Sequence, residues 1–69
     1  MTVQQLITTA ATYAGMNKAE LARRLGWTPQ LLQKRLTTGK LTLDEYQKIG
    51  EIFGAEFKIY YKFPDGKEI

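Results

Sequence analysis

Three polar side chains, Gln30, Gln33 and Lys34, have the spacing that places them on the outer face of one short predicted helix. A glutamine amide carries a donor and an acceptor side by side and can pair bidentately with adenine, whereas a lysine ammonium can donate to guanine. Each could equally be an ordinary polar residue on a solvated helix. Their grouping on one helix favours contact with base edges and phosphates of DNA.

The chain around these residues has the features that two crossing helices need. Ala22 is small enough for a crossing point, and Gly26 tolerates the positive φ of a tight turn because glycine has no Cβ. Apolar residues at helical spacing supply the inner faces: Leu21, Leu25, Trp27, Leu32 and Leu36. The pattern predicts a helix-turn-helix over residues 18–37, with Trp27 in the core rather than stacked on a base.

Helix starts are marked by capping residues. Thr2, Asn17 and Thr42 are each followed three residues later by glutamine or glutamate, which is the capping-box pattern. Thr28 precedes a proline, which is favoured at the first helical position. Glycines follow the predicted ends, and apolar stripes mark the inner faces of the first and fourth helices, Leu6 and Leu43 among them. The predicted helices cover residues 3–14, 18–25, 29–37 and 43–53.

After residue 54 the apolar pattern changes to a period of two, which is typical of a strand with one buried face. The apolar positions are Phe57, Ile59, Tyr61 and Phe63. A turn signal at residues 64–66 leaves only three residues beyond it. We therefore expect a C-terminal β element over residues 56–69, in one of two forms. Either a short hairpin forms with the last three residues, or a second copy of the chain supplies the neighbour and the four apolar residues form a homodimer interface.

Length predicts one domain over residues 1–69. The helix caps and apolar patterns predict that this domain is mainly all-α, with four to five helices and the C-terminal β-strand or short hairpin. The hydrophobic fraction of 43% and the charged fraction of 25% argue against disorder. The chain has no cysteine, which fits a reducing cytoplasm. We expect no signal peptide, because no basic leader precedes an apolar run, and no membrane association, because no apolar stretch reaches about 20 residues.

Catalytic chemistry has no visible location. The chain contains no histidine, cysteine or serine, so the usual nucleophile–base pairs and soft metal ligands are missing. Asp44 and Glu45 lie in the first turn of the fourth predicted helix, where acids stabilise the helix dipole. Residues 37–40 lack the glycine spacing and preceding strand of a phosphate-binding loop. We expect no enzyme activity, no metal, no cofactor and no small-molecule ligand.

Positive charge is concentrated on the predicted helix-turn-helix. Residues 1–15 carry no charged side chain, whereas residues 16–40 carry six basic residues and one acidic residue, a balance of +5. Residues 41–69 have four lysines and six acids, a balance of −2. A solvated helical face is the ordinary explanation of a short charge run. Coincidence with the motif favours a nucleic-acid surface instead.

Residues 16–40 resemble the helix-turn-helix of the phage-repressor and Cro (XRE-type) family. The matching residues, in order and at the family's spacing, are Leu21, Ala22, Leu25, Gly26, Trp27 and Leu32. The resemblance covers residues 2–54 well and the tail loosely. One position departs from the pattern: Arg35 stands where the family has an apolar residue, and Leu36 follows it. We therefore expect the third helix to be rotated or extended slightly.

The resemblance implies roles for particular residues of this chain. The positions that the family uses for base reading hold Pro29, Gln30, Gln33 and Lys34. The family also places the first residue of its second helix, here Lys18, on a phosphate. Residues flanking the recognition helix are further candidates for phosphate contact: Thr28, Thr37, Thr38 and Lys40.

These observations together predict a cytoplasmic, sequence-specific regulator of transcription that binds double-stranded DNA as a homodimer. The helix at residues 29–37 would read the major groove, and the protein would act as a repressor. The alternative is a protein-interaction module, such as an antitoxin or accessory factor, that binds a partner protein through the C-terminal strand.

Overall fold

Four α-helices make up the fold in the computed structural model, which describes residues 1–69. They are α1 (Val3–Tyr13), α2 (Lys18–Leu25), α3 (Pro29–Thr38) and α4 (Leu43–Phe53). The predicted helix boundaries are confirmed to within one residue, since α1 ends one residue earlier and α3 one residue later than expected. None of the four has both the length and the apolar character that crossing a membrane requires.

The helices begin where the capping residues predicted. Thr2 and Thr42 each form a complete capping box, in which the threonine hydroxyl and the side chain three residues later bond each other's backbone N–H groups. Asn17 accepts a hydrogen bond from the Glu20 N–H at 2.9 Å. The Asn17 N–H does not donate to the Glu20 carboxylate in return, and that carboxylate pairs with two arginines of α2. These local bonds satisfy amides that a helix start leaves free.

The core lies where α2 meets the other three helices. Its buried members are Ile7, Leu21, Ala22, Leu25, Leu32, Leu36 and Ile49. Ala22 has no exposed surface, as the predicted crossing point requires, and Trp27 is half-buried against the core. Two predicted inner-face residues are corrected, since Leu6 is 41% and Leu43 is 61% exposed. The buried line of α1 runs through Ile7 and Ala11, four residues apart on one side of the helix, which turns Leu6 outward.

The turn between α2 and α3 depends on Gly26. Its φ of 75° and ψ of 22° lie in the left-handed region, as predicted. Next to it, the Trp27 N–H donates to the Ala22 carbonyl at 2.9 Å, which closes the end of α2. The turn therefore directs α3 back across α2.

We expect Gly26→Val to lower the melting temperature and to weaken any function that requires α3. No atom lies within 4 Å of the position that a Cβ would take, so the cost comes from backbone strain alone. A β-branched residue in the left-handed region costs roughly 1–2 kcal/mol, and each kcal/mol lowers the melting temperature of a domain this small by about 4–8 °C. Gly26→Asn is the matched control, because asparagine tolerates this conformation. Equal melting temperatures for the two variants would contradict the argument.

The C-terminal segment, residues 55–69, does not form the predicted strand. It contains one isolated antiparallel bridge, between Lys62 and Glu68. Around the bridge, Tyr61 and Ile69 exchange two backbone hydrogen bonds of 2.8 and 2.9 Å, and the Phe63 N–H donates to the Lys67 carbonyl at 2.8 Å. The chain thus turns back as the hairpin alternative expected. The pairing does not extend beyond this bridge into a ladder.

The predicted apolar face of that strand is divided by the fold. Phe57 is half-buried and stacks on Tyr46 of α4, with ring centroids 5.0 Å apart and an interplanar angle of 8°. Ile59, Tyr61 and Phe63 are 65%, 80% and 47% exposed. The expectation that all four share one surface is therefore wrong for Phe57, because its contact with α4 anchors the segment to the helices.

Candidate nucleic-acid interface

The outer face of α3 brings together the residues predicted to read bases. Its inner face is held against the core by Leu32 and Leu36, which are 1% and 2% exposed. On the opposite face one shallow depression is lined by Pro29, Gln30, Gln33, Lys34, Thr37 and Thr38. All four candidate base readers and two candidate phosphate contacts therefore share one continuous surface, which the packing of α3 turns towards solvent.

Lys18, at the first position of α2, is linked to this surface by two successive hydrogen bonds between side chains. Its Nζ donates to Gln33 Oε1 at 3.1 Å, and Gln33 Nε2 donates to Thr37 Oγ1 at 3.0 Å. The sequence pattern did not indicate this link, because it joins residues fifteen positions apart on two helices. The ammonium retains donors for a phosphate, since it has three.

The threonine hydroxyls differ in what they can offer to a phosphate, which only accepts hydrogen bonds. Thr28 Oγ1 accepts from the Leu31 N–H at 3.1 Å and Thr37 Oγ1 accepts from Gln33, so both retain their own proton for donation. Thr38 Oγ1 donates to the Lys34 carbonyl at 2.9 Å, which uses its proton. Thr28 and Thr37 can donate in their present rotamers, whereas Thr38 must first rotate.

Ion pairs divide the positive charge of residues 16–40 into two groups. Arg23 and Arg24 lie 3.2 and 3.5 Å from the Glu20 carboxylate. Lys18, Lys34 and Lys40, by contrast, belong to none of the ion pairs. Within residues 16–40, the three cations without an acidic partner are the three lysines predicted to contact DNA, whereas Arg23 and Arg24 are partly neutralised by Glu20.

Arg35, which stands where the resemblance implied an apolar residue, joins α3 to the start of α4. Its Nη1 lies 2.9 Å from Glu45 Oε1 and also donates to the Lys40 carbonyl at 3.0 Å. Its guanidinium carbon lies 5.3 Å from the centre of the Trp27 ring, within the range of a cation–π contact. Leu36 takes the buried position in its place. The sequence feature that could have indicated this role is a charged residue between two core leucines, because a charge close to the core needs a partner.

Glu45 is the acidic end of this cluster. The Thr42 backbone N–H, which donates to its carboxylate at 2.8 Å, lowers the pKa of Glu45, and the charge of Arg35 lowers it further against the opposing effect of burial. The carboxylate thus remains ionised to lower pH than an isolated glutamate. It holds the end of α3 at a defined place beside α4.

A second exposed surface lies on the C-terminal segment. The backbone N–H groups of residues 56–60 take part in no hydrogen bond within the chain. Ile59, Tyr60 and Tyr61 beside them are more than half exposed. Backbone N–H groups that are free in this way, beside apolar side chains, can pair with a strand from another chain.

Comparisons with known proteins provide no relative for this chain, since no protein-family model, no curated protein and no solved structure matches it.

Proposed function

We propose that this protein is a sequence-specific double-stranded DNA-binding regulator of transcription, acting as a repressor of the phage-repressor and Cro type. The observation that carries the proposal is the outer face of α3, where Gln30, Gln33 and Lys34 share one solvent-facing depression. Helices of such a unit enter the major groove, which is wide enough for one helix and displays a distinct pattern for each base pair.

The charge distribution supports the same function. Lys18, Lys34 and Lys40 lie on or beside the reading face without an acidic partner. Cations in that arrangement can neutralise phosphates and release counterions, which supplies much of the affinity for DNA. Repression then requires no cofactor: the bound protein occupies an operator and blocks polymerase.

Fluorescence anisotropy of duplex DNA at increasing salt tests the proposal. Duplexes selected from a random pool provide the preferred site, and a scrambled duplex provides the reference. We expect affinity for both to fall steeply with salt. In a plot of log affinity against log salt concentration, the slope should become shallower by about 0.9 when one phosphate contact is removed, as in Lys40→Ala. Lys48 is an exposed lysine of α4, and Lys48→Ala should leave the slope unchanged. Failure to bind any duplex at low salt would refute the proposal.

We also propose that the protein acts as a homodimer that pairs through the C-terminal segment. The free N–H groups of residues 56–60 and the exposed Ile59 and Tyr61 support this pairing. A two-fold axis there would present two copies of α3 to half-sites about 34 Å apart on one face of the duplex. The operator is then roughly palindromic.

We expect Ile59→Asp and Tyr61→Asp to shift the protein towards monomer and to weaken operator binding, because a buried carboxylate is costly at an apolar interface. Sedimentation at micromolar concentration measures the first effect, and anisotropy the second. Tyr13→Asp is the matched control, since Tyr13 is 95% exposed and lies on α1. A parent protein that sediments as a monomer, with operator affinity unaltered by Tyr61→Asp, would contradict this mode of pairing.

The alternative function, a protein-interaction module, is favoured by the same free N–H groups of residues 56–60, because a strand of a different protein can pair with them. The two functions predict opposite results in the salt titration. An interaction module would bind no duplex selectively, and Gln33→Ala and Lys34→Ala would not affect its partner, whereas Ile59→Asp would.

A further inference from the structure

We infer that Lys18 determines base specificity by fixing the direction of the Gln33 amide, in addition to any phosphate contact that it makes. The inference rests on the proposed DNA-binding function and identifies a positioning residue that lies outside α3. It follows from the hydrogen bonds that link Lys18, Gln33 and Thr37 across two helices.

The chemistry of the two neighbours selects one orientation of the amide. An ammonium can only donate, so Lys18 Nζ, at 3.1 Å, must face the amide oxygen of Gln33. At the other end the Gln33 Nε2 group donates to Thr37 Oγ1 at 3.0 Å. A flipped amide would place its NH₂ group against the ammonium and lose the bond. The amide is thus held with its oxygen towards α2 and its nitrogen towards the end of α3.

Both ends of the held amide retain capacity for a base. The oxygen has a second lone pair and the nitrogen has a second proton, which together match the amino group and N7 of adenine. A side chain that is already ordered before binding avoids the entropic cost of immobilising a flexible side chain on the DNA. Gln30, on the same face, takes part in no hydrogen bond through its side chain and so provides an internal comparison.

A double-mutant cycle on DNA tests the inference. Lys18→Met, which keeps the length and removes the charge, is combined with Gln33→Ala and, separately, with Gln30→Ala. Binding is measured on the preferred duplex and on duplexes substituted at each base pair. We expect Lys18→Met to reduce discrimination roughly two- to tenfold at the base pair that Gln33→Ala also affects. In the Gln33→Ala background, Lys18→Met should have no further effect on discrimination. In the Gln30→Ala background, its effect should be as large as in the parent protein.

Two further arms separate positioning from a phosphate contact. Lys18→Arg should keep the discrimination, because a guanidinium also only donates. In the free protein, Lys18→Met should shift the side-chain amide resonances of Gln33 in a ¹⁵N spectrum and leave those of Gln30 in place. Lys40→Ala, a candidate phosphate contact without a side-chain partner, should instead weaken all duplexes by the same factor.

The inference is overturned if Lys18→Met weakens every duplex equally, as Lys40→Ala is expected to do, or if its effect adds to that of Gln33→Ala. Either result, with selective duplex binding by the parent protein, would leave the proposed function standing. A parent protein that binds no duplex would remove both the proposed function and this inference.

Discussion

Leu21→Ala is expected to lower the free energy of unfolding by roughly 2–5 kcal/mol, the range for removing most of a fully buried leucine side chain. Leu21 has no exposed surface and belongs to the core cluster in which α2 meets its neighbours. A domain of 69 residues has a total stability of roughly 3–10 kcal/mol. The substitution therefore removes a large part of the stability, and a substantial fraction of the protein should be unfolded at 37 °C.

Urea denaturation followed by circular dichroism measures this effect. Leu43→Ala is the matched control, because it makes the same chemical change at a residue of α4 that is 61% exposed. We expect its free energy of unfolding to remain within about 0.5 kcal/mol of the parent value, as is usual for surface substitutions. Similar losses in the two variants would show that α2 does not provide the centre of the core.

Gln33→Ala and Lys34→Ala are expected to reduce the preference for the selected operator over duplexes altered at the contacted base pairs. A good base contact supplies about 1–3 kcal/mol of discrimination, which corresponds to a loss of roughly 5- to 150-fold. Both residues lie in the depression on the outer face of α3, and Lys34 has no acidic partner that would hold it elsewhere. The fold should be unaffected, because both side chains are exposed.

Competition between the operator and substituted duplexes provides the measurement, with melting curves to confirm that the variants are folded. Lys40→Ala is the contrasting variant, since a phosphate contact contributes to all sequences alike. It should lower affinity for the operator and for the altered duplexes by one factor. An unchanged site preference after both Gln33→Ala and Lys34→Ala would mean that a different face of α3, or a different element, reads the bases.

Local interactions made the helices and the composition of the outer face of α3 predictable from the sequence. A cap such as Thr42 acts on an amide three residues away, and a turn such as Gly26 is a property of one backbone position. The period of the leucines likewise determined that Leu32 and Leu36 face inward and that Gln33 and Lys34 face outward. Each of these features depends on neighbours within one or two helical turns, so that composition and spacing are sufficient to predict it.

Contacts between distant parts of the chain were decided only by the tertiary structure. Phe57 stacks on Tyr46 instead of joining the predicted strand, and Arg35 is paired with Glu45, ten residues further along the chain. The link from Lys18 to Gln33 also joins separate helices. Which partner such a side chain meets depends on how the helices cross, and many partners share the same residue types. The sequence alone therefore determined the helices and their faces, whereas their relative placement decided which polar groups remain free to bind.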